Sequence, residues 1–510
     1  MANLSRRDFL KLAALTLPAT ALAHPLFRLA DNRGADPSRP NIILLIFDAM
    51  TASNLSLYGY PRLTSPNFER FAERATVYHR YNSAGNFTVP GTASLLTGMY
   101  PWTHRAINHS GLVRRDMLDR NIFALLGEDY SRTGFSQNGW ASFLLTQFRK
   151  DLDTYLSPAE FSLISQVFGD GFPDTNLAFR ALDDFMFKME KSPSSLVLGA
   201  IERTLLYNQA KRIPTKDYPR GIPKTGSYPV YFLLDEVLAD LAAMFGGQKS
   251  PSFSYVHLFP PHAPYSPLRQ FYGMFRDDKY FPPSKPNHIL GDGHDERKVY
   301  VGRLSYDEYI ATVDFEFGRF VDALEAAGVL DNSYLIITSD HGELLERGCK
   351  GHDTPLLYDP IIHIPLLIHA PGQTTRRNIH TPVNSVDILP TILHLAGKPI
   401  PDWCEGEILP GFGGQDDHER STFSVEAKLN PAFAPLQTAT IAMRKGPYKL
   451  IYFKGYFGGE DSYELYNHED DLDELHNLYD SEKAIAAQMK DELLERLNSA
   501  DREFVKKNVK

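Results

Sequence analysis

The sequence predicts an α/β fold in which a large, mostly parallel sheet carries helices on both faces. Two mainly apolar segments of strand length, residues 41–48 and 335–340, each end in an aspartate and are typical of buried central strands. Residues 252–257 and 364–369 predict two further strands, the second less buried because it contains a proline. Helical patterns alternate with these strands, and this alternation indicates a parallel sheet.

Two of the predicted helices have clear ends. Ser305 and Glu308 form a capping box, which is expected to begin a helix that ends near Gly328. Ser385 is expected to cap a second helix, which ends at Gly397.

Within the predicted main domain, residues 41–414, one long stretch departs from the alternation. Residues 141–250 are expected to be mainly helical, while residues 264–300 are rich in Pro, Gly and Asp and predict a long surface loop. We interpret the stretch of about 141–300 as insertions that shape a cleft.

The character of the sequence changes at about residue 415. Residues 438–443 and 448–453 predict a β-hairpin, and residues 482–504 predict a charged amphipathic helix. Residues 415–510 are therefore expected to form a small α+β subdomain.

Composition and charge narrow the classes of partner. Of the 510 residues, 43% are hydrophobic and 23% are charged, which is typical of a globular protein. The 53 Lys and Arg against 63 Asp and Glu give a net charge of −10, which argues against nucleic acid as a partner because no basic patch offsets it. Two cysteines cannot form a disulfide framework, and a single bridge between Cys349 and Cys404 stays open.

The amino terminus predicts an export signal. Arg6 and Arg7 precede an apolar stretch over residues 12–22, a pattern typical of a twin-arginine signal peptide over residues 1–23. That stretch is shorter than the roughly 20 residues that cross a bilayer, so no stable membrane span is expected. Residues 24–40 are interpreted as a polar linker. The pattern implies export to the periplasm, with the twin-arginine translocase as a partner.

Candidate metal ligands follow the predicted strands. Asp48 and Asp340 lie at carboxyl ends of strands, where α/β sheets bind their ligands, and His341 follows directly. Two carboxylates and an imidazole suit one divalent metal, with zinc or manganese favoured and calcium as an alternative. The competing interpretation is that each aspartate only caps a helix.

A candidate nucleophile lies at a predicted helix start. Thr88 comes two residues before Pro90, and proline is favoured in the first turn of a helix. Because a helix amino terminus attracts phosphate or sulfate, Thr88 could attack an anion bound there. The Thr88 hydroxyl would also be a ligand of the metal, which would help to activate it. The alternative is that Thr88 is only an N-cap.

The order of these segments resembles the sulfatase branch of the alkaline phosphatase superfamily. The matching segments are the strand ending at Asp48, residues 88–98, Tyr100-Pro101, His104, residues 257–265, 339–343, 351–352, 386–391, 464–466 and 473–478. The resemblance implies an alkaline phosphatase/sulfatase-like three-layer sandwich with residues 41–414 as the catalytic domain. It also implies a four-stranded carboxyl-terminal subdomain and ester hydrolysis through a covalent enzyme intermediate.

The same resemblance suggests roles for four further residues. His262 and His352 would contact the bound anion or protonate the leaving oxygen. His257 is a candidate anion contact or, equally, a histidine satisfied in the core. Lys350 would add positive charge near the anion, unless it is an ordinary solvated lysine.

Several positions depart from the sulfatase pattern. Thr88 stands where sulfatases carry the Cys or Ser that becomes formylglycine, and Thr92 stands where they carry an arginine. Ala49 replaces a second acid, and residues 137–140 lack the expected Lys and His. The residues that remain are Asp48, Thr88, Asp340 and His341. This set is similar to the single-metal site of phosphoethanolamine and lipoteichoic-acid transferases, in which threonine is the nucleophile.

These observations predict an exported, metal-dependent hydrolase that favours phosphate over sulfate esters. The substrate would be a small molecule or an ester of the cell envelope. Two alternatives stay open: a transferase that moves the phospho group to an envelope acceptor, and a non-catalytic binding protein that keeps the fold.

Overall fold

The computed structural model describes residues 39–158, 160–162, 164–165, 217–226 and 230–507. The strands in these residues are β1 (Asn41–Phe47), β2 (Thr76–Tyr78), β3 (Tyr81–Asn82), β4 (Ser131–Ser136), β5 (Thr154–Leu156), β6 (Ile164–Ser165), β7 (Val230–Tyr231), β8 (Ser252–Leu258), β9 (Ser333–Thr338), β10 (Leu366–His369), β11 (Arg377–Ile379), β12 (Val383–Asn384), β13 (Thr422–Glu426), β14 (Ala439–Lys445), β15 (Tyr448–Phe457) and β16 (Glu460–Asn467). The α-helices are α1 (Pro66–Ala72), α2 (Thr88–Thr97), α3 (Pro101–His104), α4 (Ile122–Leu126), α5 (Gly139–Gln147), α6 (Leu234–Gly247), α7 (Glu296–Ala326), α8 (Asp359–Ile362), α9 (Ile388–Leu395) and α10 (Lys483–Lys507).

An eight-stranded sheet forms the centre of the fold, in the order β11-β2-β10-β9-β1-β8-β4-β5. Strand β1 pairs in parallel with both β8 and β9, and β4 pairs in parallel with β8 and β5, whereas β10 is antiparallel to its two neighbours. The predicted mostly parallel α/β fold is confirmed. Ile46 is in register with His257 on one side and Thr338 on the other, so the carboxyl ends of β1, β8 and β9 lie side by side.

Helices cover both faces of this sheet, as the apolar strands require. Along β1, Ile43, Leu45 and Phe47 pack into one apolar cluster with α6 and α7. Ile42 and Leu44 point the other way, into a cluster with α2, α4 and α9. This alternation is the two-residue period of a strand, and it explains why β1 is apolar at nearly every position.

The long helix α7 begins ten residues earlier than predicted. Its N-cap is Asp295, whose side chain accepts a hydrogen bond from the Lys298 N–H at 2.9 Å. The predicted capping box is wrong because Ser305 lies inside the helix and donates back to the Val301 carbonyl at 2.9 Å. The chain leaves the helix through Gly328, which has a φ of +68°.

The cap of α9 is also shifted by one residue. Asn384, rather than Ser385, is the N-cap of a short 3-10 turn that leads into the helix. Its side chain accepts from the Val386 N–H, while the Asp387 carboxylate accepts from the Asn384 N–H at 2.8 Å. The end at Gly397 agrees with the prediction, since its φ of +66° is in the left-handed region.

The stretch of predicted insertions is only partly described. Helices α5 and α6 lie within or beside residues 141–250, together with the short strands β5, β6 and β7, while residues 166–216 lie outside the described residues. Residues 264–295 form the predicted irregular segment. The segment ends where α7 begins, at Glu296. The proposed signal peptide and most of the linker also lie outside the described residues.

The carboxyl-terminal part forms a four-stranded antiparallel sheet in the order β13-β14-β15-β16. Strands β14 and β15 are the predicted hairpin, and α10 is the predicted helix, which packs against the sheet through an apolar cluster that includes Leu493 and Leu450. Tyr100 and Trp102 enter the same cluster from the main part of the chain. The small α+β subdomain of the predicted fold is therefore present.

The two cysteines do not pair. Cys349 is buried in an apolar cluster with Leu356, and Cys404 lies beside Gly98, each as a free thiol. The possible disulfide between Cys349 and Cys404 is therefore not formed.

Among the described helices, none is both long and apolar enough to cross a membrane.

A buried ionic cluster joins α8 to the carboxyl-terminal sheet. The Lys449 ammonium lies 2.9 Å from Asp359 and 2.6 Å from Glu474, and all three side chains are buried. Arg444 and His468 complete the cluster. Burial raises the pKa of Glu474, but Lys449 and His468 together outweigh burial and hold the pKa at about 2. The cluster therefore already contains the cations that its carboxylates need.

We expect Lys449→Met to destabilise the protein by about 3–5 kcal/mol, because it leaves buried carboxylates without their main counter-charge. Arg70→Met is the matched control, since Arg70 pairs with Asp322 at the exposed surface and should change stability little. Urea unfolding at neutral pH measures the free energy of unfolding of both variants.

The low pKa of Glu474 adds to the free energy of unfolding at neutral pH, and this contribution is lost as the pH falls from about 4.5 to 2. The free energies of unfolding of the two variants and of wild type should therefore converge at that low pH. Equal effects of the two substitutions at neutral pH would contradict the assignment.

Candidate active site

Three buried side chains meet where the central strands end. Asp48 follows β1, His257 is near the end of β8, and Asp340 lies two residues beyond β9. The His257 Nε2 atom is 3.4 Å from Asp48 Oδ2 and 3.6 Å from Asp340 Oδ2, and all three side chains are fully buried. The parallel register of β1, β8 and β9 is what brings them together.

His341 adds a second imidazole to the same point. Its Nε2 atom lies 3.4 Å from Asp48 Oδ1 and 3.6 Å from Asp340 Oδ2. Its Nδ1 faces the Gly342 carbonyl at 2.8 Å, and because a carbonyl can only accept, Nδ1 carries the proton of the neutral ring. The Nε2 lone pair of that tautomer therefore points at the two carboxylates.

Thr88 joins this group from the start of α2. Its hydroxyl oxygen lies 3.5 Å from His341 Nε2, and its side chain is buried. The N-cap of α2 is Phe87, so the interpretation of Thr88 as a simple N-cap is wrong. Gly91 allows this approach, because a Cβ there would lie 2.2 Å from the Asp340 carbonyl oxygen.

Asn138 completes the contacts of Thr88 and was missed in the sequence. Its Nδ2 donates to Thr88 Oγ1 at 3.1 Å and to Asp48 Oδ2 at 2.5 Å. Its Oδ1 accepts from the Trp140 N–H at 2.8 Å, which makes Asn138 the N-cap of α5. The only sequence feature that points to Asn138 is its position two residues after β4. The sequence of β4 is too polar to be predicted as a buried strand.

His262 and His352 lie beside the cluster. Their ring centroids are 4.8 Å apart, and His352 is 4.3 Å from the ring of His341. The His352 Nδ1 atom is 3.4 Å from Glu343 Oε2, and with 18% of its side chain exposed, His352 lies on the open side of the site. The structure thus places His352 next to His341 and His262 on the other side of His352. Lys350, in contrast, is exposed, with its side chain against Gly302 of α7.

Comparison with known proteins identifies the family. The protein-family model called Sulfatase matches residues 40–398, which is most of the chain. The chain belongs to the sulfatase family. A second model, N-sulphoglucosamine sulphohydrolase C-terminal, matches residues 349–502 of this family member. Membership makes the chain a hydrolase of sulfate or phosphate esters, and members of the family are typically metal-dependent.

Individual relatives are distant but cover most of this sulfatase-family chain. The Ulvan-active sulfatase of Formosa agariphila is 24% identical over 78% of this chain and 69% of its own. The choline-sulfatase of Rhizobium meliloti is 22% identical over 86% and 82%. The phosphonate monoester hydrolase of Agrobacterium radiobacter superposes with a TM-score of 0.63 at 20% identity, covering 90% of this chain and 96% of that one. A structure of BT4656 with D-glucosamine-2-N,6-O-disulfate gives 0.61 at 17% identity, covering 92% and 98%.

The electrostatics of this sulfatase-family site indicate a surplus of negative charge. Burial lowers the pKa of His341, but Asp340 and Asp48 outweigh it and raise the pKa to about 9. Burial and the neighbouring His341 lower the pKa of His352 to about 3, and burial raises the pKa of Glu343 to about 7. A cation between the carboxylates would take up that surplus.

The donor atoms of the site fit a divalent metal. Asp340 Oδ1 accepts from the N–H groups of Ala49 and His341, which leaves Oδ2 directed at the cluster. Within the described part of the chain, the buried atoms Asp340 Oδ2, Asp48 Oδ1 and His257 Nε2 have no hydrogen-bond partner. Buried polar atoms rarely lack a partner, and one donor atom from each of these three residues lies within 4.8 Å of the other two. Carboxylate oxygens with imidazole nitrogens are the donors that zinc and manganese accept.

Proposed function

We propose that this sulfatase-family hydrolase cleaves phosphate esters, and sulfate esters less readily, through a covalent intermediate on Thr88. One divalent metal, zinc or manganese, would be held by Asp48, Asp340 and His341, with the Thr88 hydroxyl beside it. The observation that carries this proposal is the position of that hydroxyl. It lies at the start of a buried helix, within 3.5 Å of His341 and next to the unpartnered donor atoms.

A metal bound there would lower the pKa of an adjacent hydroxyl and offset the charge of an ester anion. Asn138 orients the Thr88 oxygen by donating to it, so that a lone pair faces the substrate. Thr88 enters the cycle as the alkoxide, its proton having gone to solvent water. The oxygen then forms a bond to phosphorus while the bond from phosphorus to the leaving alcohol breaks, and Thr88 is released again as the alkoxide in the second step. In the first turn of α2, Pro90 has no N–H and the Gly91 N–H donates to the Phe87 carbonyl, so the N–H groups of Thr88 and Val89 would be the ones that meet the transferred group.

His262 and His352 are the candidates for proton transfer. The low pKa of His352 keeps it neutral in the free enzyme, but a bound anion favours the charged imidazolium and raises that pKa. One imidazolium gives its proton to the leaving oxygen. In the second step the neutral ring takes a proton from water, whose oxygen attacks phosphorus and releases Thr88.

The preference for phosphate is tested with matched esters. We expect 4-nitrophenyl phosphate and a 4-nitrophenyl phosphonate to be hydrolysed faster than 4-nitrophenyl sulfate, because Thr88 and Thr92 replace the formylglycine precursor and the arginine of the sulfatase pattern. The phenol is the same in each, so the ratio of kcat/KM compares only the group that is transferred. A higher kcat/KM for the sulfate would contradict the preference.

The transferase and the non-catalytic binding protein gain no support from the relatives, whose names are those of sulfatases and hydrolases.

The proposal extends to export by the twin-arginine translocase and to a periplasmic small-molecule or envelope ester as substrate. Support comes from Arg6 and Arg7 ahead of the apolar stretch. Replacing both arginines by lysine should keep the protein in the cytoplasm, and unchanged export would contradict this route.

We expect Asn138→Asp to lower kcat by about 100-fold, because it removes the donor to Thr88 and adds charge beside Asp48. Aspartate is also a good N-cap, so α5 should stay intact. Asn121→Asp is the matched control: Asn121 is the N-cap of α4, accepts from the Ala124 N–H and donates to Asp151. Steady-state kinetics of both variants measure the effect. An equal loss of kcat in the two variants would show that the hydrogen bond from Asn138 Nδ2 to Thr88 does not contribute to the reaction.

A further inference from the structure

We propose that His257 is a further metal ligand, through Nε2, and that Tyr255 is a positioning residue that holds its ring through Nδ1. This inference rests on the proposed function, since it concerns the same metal. It goes beyond the site predicted from sequence, in which His257 was an anion contact or a core histidine.

The spacing of the donor atoms is the first argument. The Nε2 atoms of His257 and His341 each lie 3.4 Å from Asp48 and 3.6 Å from Asp340. Hydrogen bonds between such atoms are roughly 2.7–3.2 Å long. Four ligands in a tetrahedron with bonds of about 2.0–2.2 Å lie roughly 3.3–3.6 Å from one another. The four distances match the separation of neighbouring ligands and are too long for hydrogen bonds. His257 faces Oδ2 of Asp48 and His341 faces Oδ1, while both face Oδ2 of Asp340, so the two imidazoles approach the same pair of carboxylates.

The burial of His257 is the second argument. Its side chain is fully buried, and its Nε2 has no hydrogen-bond partner although its Nδ1 has one. A core histidine that served only packing would leave a polar nitrogen unsatisfied beside two carboxylates. A cation at the centre of the group satisfies all of these atoms together.

Tyr255 supplies the second contact of the ring. Its hydroxyl lies 2.9 Å from His257 Nδ1. When Nδ1–H donates to the Tyr255 oxygen, Nε2 is left with a lone pair, which is the form that binds metal. The Tyr255 proton then needs an acceptor, and the buried Thr92 hydroxyl lies beside it without another hydrogen bond. Thr92, at the position of the family arginine, thus ends a chain of three polar groups.

This arrangement accounts for the missing second acid. Ala49 offers no ligand at that position, and His257 brings a neutral nitrogen from the neighbouring strand instead. The resulting set has two carboxylates and two imidazoles. Calcium takes oxygen ligands, whereas zinc and manganese accept imidazole, so the set favours zinc or manganese.

The test counts ligands directly on the zinc-loaded, full-length protein. X-ray absorption at the zinc edge should show two imidazoles in wild type and one in His257→Gln. Tyr255→Phe should keep two imidazoles but bind zinc about 10–100-fold more weakly in competition with a chromophoric chelator. Tyr78→Phe is the matched control, because its buried hydroxyl donates to the Pro410 carbonyl at 2.7 Å, away from the site, and zinc affinity should not change.

Each contrary result has its own meaning. One imidazole in wild type, or unchanged zinc affinity in His257→Gln, would overturn the role of His257 while leaving the proposed function intact. Unchanged affinity in Tyr255→Phe would overturn the role of Tyr255 alone. A folded wild-type protein that binds neither zinc nor manganese would overturn this inference and the metal of the proposed function, while a covalent Thr88 intermediate would still be measurable.

Discussion

Thr88→Ala should lower kcat by at least about 10⁴-fold, the scale seen when an enzyme loses its covalent nucleophile. The expected loss is this large because the alanine has no oxygen to bond to phosphorus. Among the residues that the structure describes, the hydroxyl contacts Asn138 and His341, and Phe87 is the N-cap of α2, so the helix should form as before. Steady-state kinetics and the unfolding midpoint of the same preparation separate lost chemistry from lost structure.

Two matched variants sharpen this result. Thr88→Ser keeps a hydroxyl at the same position and should retain measurable turnover. Thr97→Ala removes another buried hydroxyl of α2, one that donates to the Ala93 carbonyl at 2.6 Å, and should leave kcat near wild type. If Thr88→Ala keeps wild-type turnover, Thr88 has no part in the chemistry.

Removal of the metal is expected to have the second largest effect. Exhaustive chelation should lower turnover by more than about 100-fold, because Asp48 and Asp340 would then face the substrate anion without a counter-charge. Adding zinc or manganese should restore activity. The chelated protein should also melt at a lower temperature, since a ligand that binds only the native state stabilises it.

The choice of metal gives the control for this experiment. Calcium should restore little, because imidazole nitrogens are poor ligands for it. Full turnover in protein with no metal detectable by elemental analysis would refute the metal dependence. Full restoration by calcium alone would instead favour oxygen ligands and argue against His341 as a ligand.

The sequence alone predicts those site residues that lie at the ends of apolar strands. Asp48 and Asp340 were predictable because buried parallel strands read as apolar runs, and the polar residue that ends such a run lies at the ligand-binding edge. The position of Tyr255 also had a signal, since residues two apart on a strand lie on one face, as Tyr255 and His257 do. The sequence alone could not show that their rings meet.

Other parts needed the structure because local patterns there are ambiguous. Strand β4, with the sequence Ser-Arg-Thr-Gly-Phe-Ser, has no apolar run, so Asn138 at its end went unnoticed. The start of α7 was missed because its first turn is exposed and polar, while the Ser305 hydroxyl bonds back within the helix and imitates a cap. In each case contacts made by distant segments decide what the local sequence leaves open.

The covalent intermediate is tested most directly by mass spectrometry of the enzyme quenched during turnover of a slow phosphate ester. The account predicts an unmodified threonine at position 88 in the resting protein. After quenching, it predicts one added phosphoryl group on the peptide that contains Thr88, absent from Thr88→Ala. An aldehyde at position 88, or a phosphoryl group carried by another residue, would contradict the central role of Thr88.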